Sequence, residues 1–326
     1  MKTKLISSFC TTALALGFAF SASAQLDREY IERRCWSLGV KVGTGDLWGD
    51  VGTKSPIEHF KNSNYSSYIQ PFGGLYVRYS SWPALVMRTG ISYGIVSAGD
   101  KMNKDLAEKE TKYETDAVQR YQRNLDVRTT IWEGSFMFEI NPFRISPLSR
   151  AAKMHFQPYL LAGIAGYHFN AKGRYVEKDG SAGASTGEWI NLYDLHVEGD
   201  GFKESGMPKA YSQWQLAIPL GVGIKWDLSP SFGIGAEWVY RKCFTDYLDG
   251  VSKNYIDPAL YAQNGLTPAQ VKQATAMRDK SWELDPNKTH KTGEMRGSNK
   301  GPDGFSSFSI TFFYKFKTRA EPWWEE

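Results

Sequence analysis

The sequence predicts an all-β protein: an eight-stranded antiparallel transmembrane β-barrel with four long extracellular loops and short periplasmic turns. Three observations predict it. An export signal opens the chain. Short segments follow in which apolar and polar residues alternate. The connections between those segments are long and short by turns.

The signal comes first. Lys2 and Lys4 form a positive start, residues 5–20 form an apolar run, and Ala22-Ser23-Ala24 is a small-x-small cleavage site. Residues 1–24 therefore read as a signal peptide, 25–33 as a periplasmic segment, 34–317 as the barrel and 318–326 as a periplasmic tail. Cys10 lies too early to be a lipoprotein cysteine. The chain holds 11 Trp, 18 Tyr, 18 Phe and 31 Gly, a mixture suited to strands and membrane-interface girdles. Its 39 basic and 35 acidic residues form no basic block, which argues against nucleic acid. After the signal no apolar run reaches the roughly 18 residues of a membrane helix. Only Cys35 and Cys243 remain in the mature chain, too few for a disulfide scaffold.

Eight strands can be placed. In residues 35–43, Trp36, Leu38, Val40 and Val42 share one face and Ser37, Gly39 and Lys41 the other. Residues 68–80 set Leu75, Val77 and Tyr79 against Tyr76 and Arg78, and residues 84–97 set Leu85, Met87, Ile91 and Tyr93 against Arg88 and Ser92. In residues 124–140, Trp132, Phe136, Phe138 and Ile140 oppose Glu133, Ser135 and Glu139. The upper half of that strand alternates in the opposite phase, which predicts a bulge near residues 129–131. Residues 154–169 carry Tyr159, Leu161, Ala165, Tyr167 and Phe169 on one face. In residues 212–227, seven large apolar residues from Trp214 to Trp226 alternate with small or polar ones and with Lys225. Residues 231–244 set Phe232, Ile234, Ala236, Trp238 and Tyr240 against Glu237 and Arg241. Residues 305–317 set Phe308, Ile310, Phe312, Tyr314 and Phe316 against Ser307, Ser309, Thr311 and Lys315.

The connections 81–83 and 228–230 are short and 141–153 is moderate, whereas 44–67, 98–123, 170–211 and 245–304 are long. A soluble sandwich has no reason to sort loop lengths in this way; an exported barrel has its short turns in the periplasm and its long loops outside. Within the last loop, Thr267-Pro268 predicts a capped helix over residues 269–282, and Asp257-Pro258 a second helical turn.

The predicted inward set contains Lys41, Arg78, Arg88, Glu133, Glu139, Lys225, Glu237, Arg241 and Lys315. Eight strands enclose a space that side chains fill, so these charges are expected to pair with one another. A catalytic constellation is not evident. His59, His155, His168, His196 and His290 are scattered, without metal-ligand spacing, and no G-x-S-x-G elbow occurs. The Gly-x-Gly pairs at 221–223 and 233–235 lie inside strands, which argues against a phosphate loop or a nucleotide cofactor. Asp246, Asp249 and Asp257 crowd the start of the last loop but match no calcium loop and read as solvated or capping acids.

One run is more specific. Tyr240, Arg241, Lys242, Cys243, Phe244, Thr245, Asp246, Tyr247, Leu248 and Asp249, with the preceding Glu237-Trp238-Val239, resemble a signature of PorG-type outer-membrane barrels of the Bacteroidetes. Gly73 to Tyr79, Arg88 to Gly94, Ile131-Trp132-Glu133, Pro158 to Gly163 and Ile218 to Gly223 match in the same order. Cys243 stands where Thr is usual and Gly250 where Asp is usual, and the chain runs past the aromatic end at Phe316. The resemblance implies a non-enzymatic anchor or scaffold of a type IX protein secretion machine, partnered by outer-membrane lipid and by periplasmic ring lipoproteins. Such partners would meet the turns 81–83, 141–153 and 228–230 and the chain ends. Two other readings remain open: a surface binding or adhesion barrel that works through its long loops, and a small porin-like barrel.

Overall fold

A computed structural model of the chain describes residues 35–110, 115–146, 154–177, 185–229, 231–298 and 301–316. The expected signal peptide, the 25–33 segment, the tail and residues 147–153 lie outside the described residues. The strands are β1 (Cys35–Trp48), β2 (Gln70–Trp82), β3 (Leu85–Gly99), β4 (Asp126–Ile140), β5 (Phe156–Arg174), the short β6 (Trp189–Asn191), β7 (Trp214–Asp227), β8 (Phe232–Cys243) and β9 (Gly304–Lys315). They pair in the order β4-β3-β2-β1-β9-β8-β7-β5, and a further antiparallel β4–β5 ladder closes the ring into eight strands. β6 adds only to the upper end of β5.

Closure pairs each of the eight long strands on both sides, and the period-2 alternation then defines an outside and an inside. The outside is apolar and bare. Trp214 is 71% exposed, Leu216 and Ile164 67%, and Ile91 62%. A soluble domain would bury such a ring of side chains; a bilayer covers it. The chain is a transmembrane barrel of the bacterial outer membrane, with long loops L1 (between β1 and β2), L2 (β3–β4), L3 (β5–β7) and L4 (β8–β9) on the extracellular side. Short helices punctuate them: α1 (Pro56–Lys61) in L1, α2 (Lys104–Ala107) and α3 (Asp116–Arg123) in L2, α4 (Ala259–Gln263) and α5 (Pro268–Arg278) in L4. α5 begins with a capping box between Thr267 and Gln270.

One expectation is corrected. β4 has no bulge: its register with β3 runs unbroken from Leu85↔Ile140 to Gly99↔Asp126, and its register with β5 is continuous too. Val127, Thr129 and Ile131 point inward, in phase with Glu133, and are buried. The apparent change of phase is a change of lumen chemistry, from charged to apolar, with height. β5 follows the same logic. Its Tyr159, Leu161, Ala165, Tyr167 and Phe169 face the interior, while Leu160 and Ile164 meet lipid.

Candidate functional site

The lower and middle lumen is a stack of buried ion pairs. Asp227 accepts from Arg144 Nη2 at 2.8 Å and from Lys315 Nζ at 2.6 Å. Above it Glu139 accepts from Arg78 Nη2 at 2.9 Å and from Lys225 Nζ at 2.7 Å. Glu237 accepts from Arg88 Nη1 at 2.6 Å and from the Tyr159 hydroxyl at 2.8 Å. Glu133 accepts from Arg241 Nε at 2.7 Å and from Ser92 Oγ at 3.3 Å. Two Arg88 nitrogens have no hydrogen-bond acceptor among the described residues, and the Tyr76 ring centre lies 3.7 Å from the guanidinium carbon. Lys41 is buried as well, with its ammonium 6.0 Å from the Phe72 ring centre. All nine residues named from alternation thus lie inside the barrel. Asp227 and Arg144 were not named with them. Asp227 carries a legible signal, the same strand parity as Lys225. Arg144 lies in a turn, where parity says nothing.

Above Arg241 the chemistry changes. Its guanidinium sits between the Phe72 and Phe305 rings, 5.2 and 5.1 Å from their centres. These rings begin an apolar cluster that also holds Leu47, Val96, Val127, Ile131, Tyr167, Phe169, Leu248 and Val251. Leu248 and Val251 come from L4, so the loop itself corks the barrel mouth. Thr129 Oγ1 holds the cork by donating to the Leu248 carbonyl at 2.6 Å. Tyr247 stacks on Tyr211 with ring centres 4.4 Å apart, and Tyr211 stacks on Phe169.

The loops above the cork form one cross-clipped cap. Its fastenings are mostly carboxylates that accept backbone N–H groups from other segments. Asp249 accepts from Val51 N and Val251 N, both at 2.9 Å. Asp303 accepts from Leu248 N at 2.9 Å, and Asp50 from Ser298 N at 2.6 Å. Glu198 of L3 accepts from Ser252 N and Lys253 N, and from Arg296 at 2.8 Å. Arg123 of α3 grips both oxygens of Asp100 at 2.8 and 2.9 Å and donates to the Arg296 carbonyl at 2.6 Å. A second apolar core, including Leu192, Leu195, Ile256, Tyr261 and Met277, joins L3 to α4 and α5.

The expectation of solvated or capping acids fits Asp257, which is exposed and accepts from Ala259 N at the start of α4, and fails for Asp249, which is fully buried. Burial, then the neighbouring Asp50, raises its pKa to about 7. Burial and Asp249 raise Asp303 well above the ordinary carboxylate range. Burial brings Asp246 to about 6, although Ser252 Oγ donates to it. The run from Tyr240 to Asp249 therefore crosses from wall to cork to clip. Arg241 serves the lumen, Lys242 and Phe244 face outward, Thr245 accepts from Asp303 N, and Tyr247, Leu248 and Asp249 seat the cap.

Over this frame lies a polar cavity of about 320 Å³, lined from L1, L2 and L4 by Asp50, Arg120, Arg123, Tyr255, His290, Glu294 and Arg296 among others. The Tyr255 and His290 rings stack 4.5 Å apart and form one wall. Arg120 donates to the Asp50 and Gly52 carbonyls, so its charge fixes the floor. His290 is anchored by Asp279, 3.0 Å from its Nδ1. Among the described residues no group of three or more His, Cys, Asp or Glu side chains is placed to hold a metal ion.

No family model matches the chain, and no curated protein sequence does. Solved structures similar to it include the attachment invasion locus protein Ail of Yersinia pestis, in complex with the heparin analogue sucrose octasulfate (10% identity, 87% of this chain, 100% of that one, TM-score 0.36). Neisserial surface protein A is similar at 9% identity over 86% of this chain and 97% of that one, TM-score 0.35. The outer membrane protein OprG from Pseudomonas aeruginosa is similar at 9% identity over 90% and 100%, TM-score 0.34. The barrel assignment rests on the closed ladder and the apolar outer belt described above.

Proposed function

We propose that the chain is a non-enzymatic, non-conducting outer-membrane barrel that acts as a surface binding module through its extracellular cap. One observation carries this reading. The lumen is filled by ion pairs and corked by L4, whereas the four loops converge into a single body with a formed cavity. Loops serving only as connections would not need inter-loop clips at Asp50, Asp100, Glu198 and Asp249. The cavity's polar floor and stacked aromatic wall suit a polar, ring-bearing ligand such as a saccharide. Arrayed glycans test it, with the purified barrel in nanodiscs. The expected result is a set of hits retained by the parent chain and lost in Glu294→Ala and His290→Ala. Identical hits from parent and variants would overturn it.

The second reading is a scaffold of a type IX secretion machine. It is favoured by the ordered sequence matches that include Tyr240 to Asp249, and by nothing else. It places periplasmic ring lipoproteins against the turns 81–83, 141–153 and 228–230. Unchanged cargo export after deletion of the gene would exclude it. Ring components co-purifying under mild detergent would support it.

A further inference from the structure

L1 does more than close the cap: part of it is laid against the outer wall of the barrel. The outward positions of β1 run upward through Val42 and Thr44 to Asp46 and Trp48. Val42 is 61% exposed and belongs to the lipid belt. Asp46 lies in the same outward file yet is buried, and so is Ser306, its partner on β9. What covers them is α1 and the turn that follows it. The Tyr65 hydroxyl donates to Asp46 Oδ1 at 2.9 Å, and His59 Nε2 lies 3.5 Å from the same oxygen. Trp48 Nε1 donates to Ser306 Oγ at 2.9 Å, and its ring lies 4.7 Å from that of His59.

His59 is thus the inner side of α1. Two apolar side chains of α1 are exposed: Ile57 at 66%, and Phe60, whose ring also lies edge-on to those of Trp48 and Tyr65, at 48%. Three residues apart, they share one face of a helical turn. Lys54 and Lys61, both exposed, flank them. The height of this face follows from the register. Asp46 is two residues above Thr44, about 7 Å along a strand and less in height, because barrel strands tilt. That is the depth of the headgroup layer bordering the hydrocarbon core.

We propose that α1 is a lipid-docking flap. Ile57 and Phe60 rest at the boundary of acyl chains and headgroups in the outer leaflet, while Lys54 and Lys61 meet lipid phosphates. Two observations select lipid over a second protein. The outward file of β1 that carries the lipid belt at Val42 runs on through Thr44 to Asp46 and Trp48, the residues against which α1 is laid. The two exposed side chains are also far short of the roughly 800 Å² per partner that a stable protein interface buries. The arrangement matches that of interfacial elements, apolar side chains down and basic ones at the rim. It would fix the height of the barrel in the bilayer and hold L1, hence one wall of the cap, against the membrane.

The test uses the full mature chain in phosphatidylethanolamine–phosphatidylglycerol vesicles. Ile57→Cys and Phe60→Cys each carry an environment-sensitive fluorophore. Met295→Cys, an exposed apolar position at the cap cavity, is the water-facing reference. Cys35 and Cys243 are buried, and the unmutated chain controls for their labelling. Nitroxide on the lipid headgroup is expected to quench the probes at 57 and 60 at least two-fold more than that at 295. Iodide in the water should do the reverse. Equal iodide quenching at all three positions would overturn the proposal. So would protection from iodide that lacks nitroxide quenching and grows with protein density, since that marks a protein neighbour. Ile57→Asp with Phe60→Asp gives a second reading: the barrel stays folded on a heat-modifiability gel while a probe at Lys61→Cys loses its nitroxide quenching. Undiminished quenching there would count against the flap.

Discussion

Buried carboxylates stand in both halves of this molecule; in the cap Asp100 and Glu198 meet arginines as the lumen acids do, and three others do not. In the lumen Glu133, Glu139, Asp227 and Glu237 each face a guanidinium or ammonium group 2.6–2.9 Å away. In the cap Asp50, Asp249 and Asp303 accept backbone N–H groups, and among the described residues none of them forms an ion pair. The first arrangement cancels charge in an enclosed interior and ties strands across the barrel. The second folds loops on each other, but it leaves acids crowded together, which favours holding protons. The lumen is a fastened interior and the cap a clipped, proton-sensitive one.

The largest expected break lies in the lumen. Glu237→Ala strands Arg88 without its carboxylate and leaves the Tyr159 hydroxyl unpaired. Removing one partner of a buried pair costs about 3–5 kcal/mol. Urea unfolding in lipid vesicles should show that loss across the whole barrel. A change below about 1 kcal/mol would mean that water reaches the site, as at surface pairs.

Asp249→Ala should act on the cap alone. It frees the Val51 and Val251 amides, and each buried unsatisfied donor costs about 1–3 kcal/mol. Proteolysis within L4 should accelerate while barrel unfolding stays near that of the parent. A barrel-wide loss would erase the distinction between the halves.

Acidity sharpens the comparison. A free Asp titrates near pH 3.9, whereas burial pushes Asp249 in the folded cap up to about 7 and, with Asp249 beside it, raises Asp303 well above the ordinary carboxylate range. The folded cap therefore holds more protons than the unfolded one between those values. Its stabilisation is full below about pH 4 and fades as pH rises through about 7. Hydrogen exchange at the Leu248 and Val51 amides should quicken over that interval. Asp303→Asn keeps an acceptor for Leu248 N and removes one charge, so it should flatten the profile. A pH-independent parent would contradict the shared burial of these acids.

The smallest effect is at α5. Thr267→Ala loses the capping box and costs about 1 kcal/mol, visible as faster exchange in the first turn of the helix and nowhere in the barrel.

The sequence made the wall readable because lipid imposes a two-residue period on every strand, and Trp214 to Trp226 shows it without interruption. The inward charges followed from the same parity. The upper inner face did not follow. Val127, Ile131, Tyr167 and Phe169 are apolar because Leu248 and Val251, more than 75 residues further on in the case of the nearest pair, descend between the strands. No local period encodes such a contact. The clip at Asp249 was visible only as an acidic cluster, since its meaning depends on Val51, Asp50 and Asp303 arriving from other loops. The flap at α1 left no trace in the alternation, because L1 covers positions that parity assigns to the outside.

Planar-bilayer recording tests the filled and corked lumen most directly. The purified barrel should give no steady open channel at neutral pH, and Leu248→Asp with Val251→Asp, which breaks the cork while leaving the ion pairs, should give at most brief small events. A steady, large conductance from the unmutated chain would contradict a packed lumen and return the working part of the molecule from the cap to the pore.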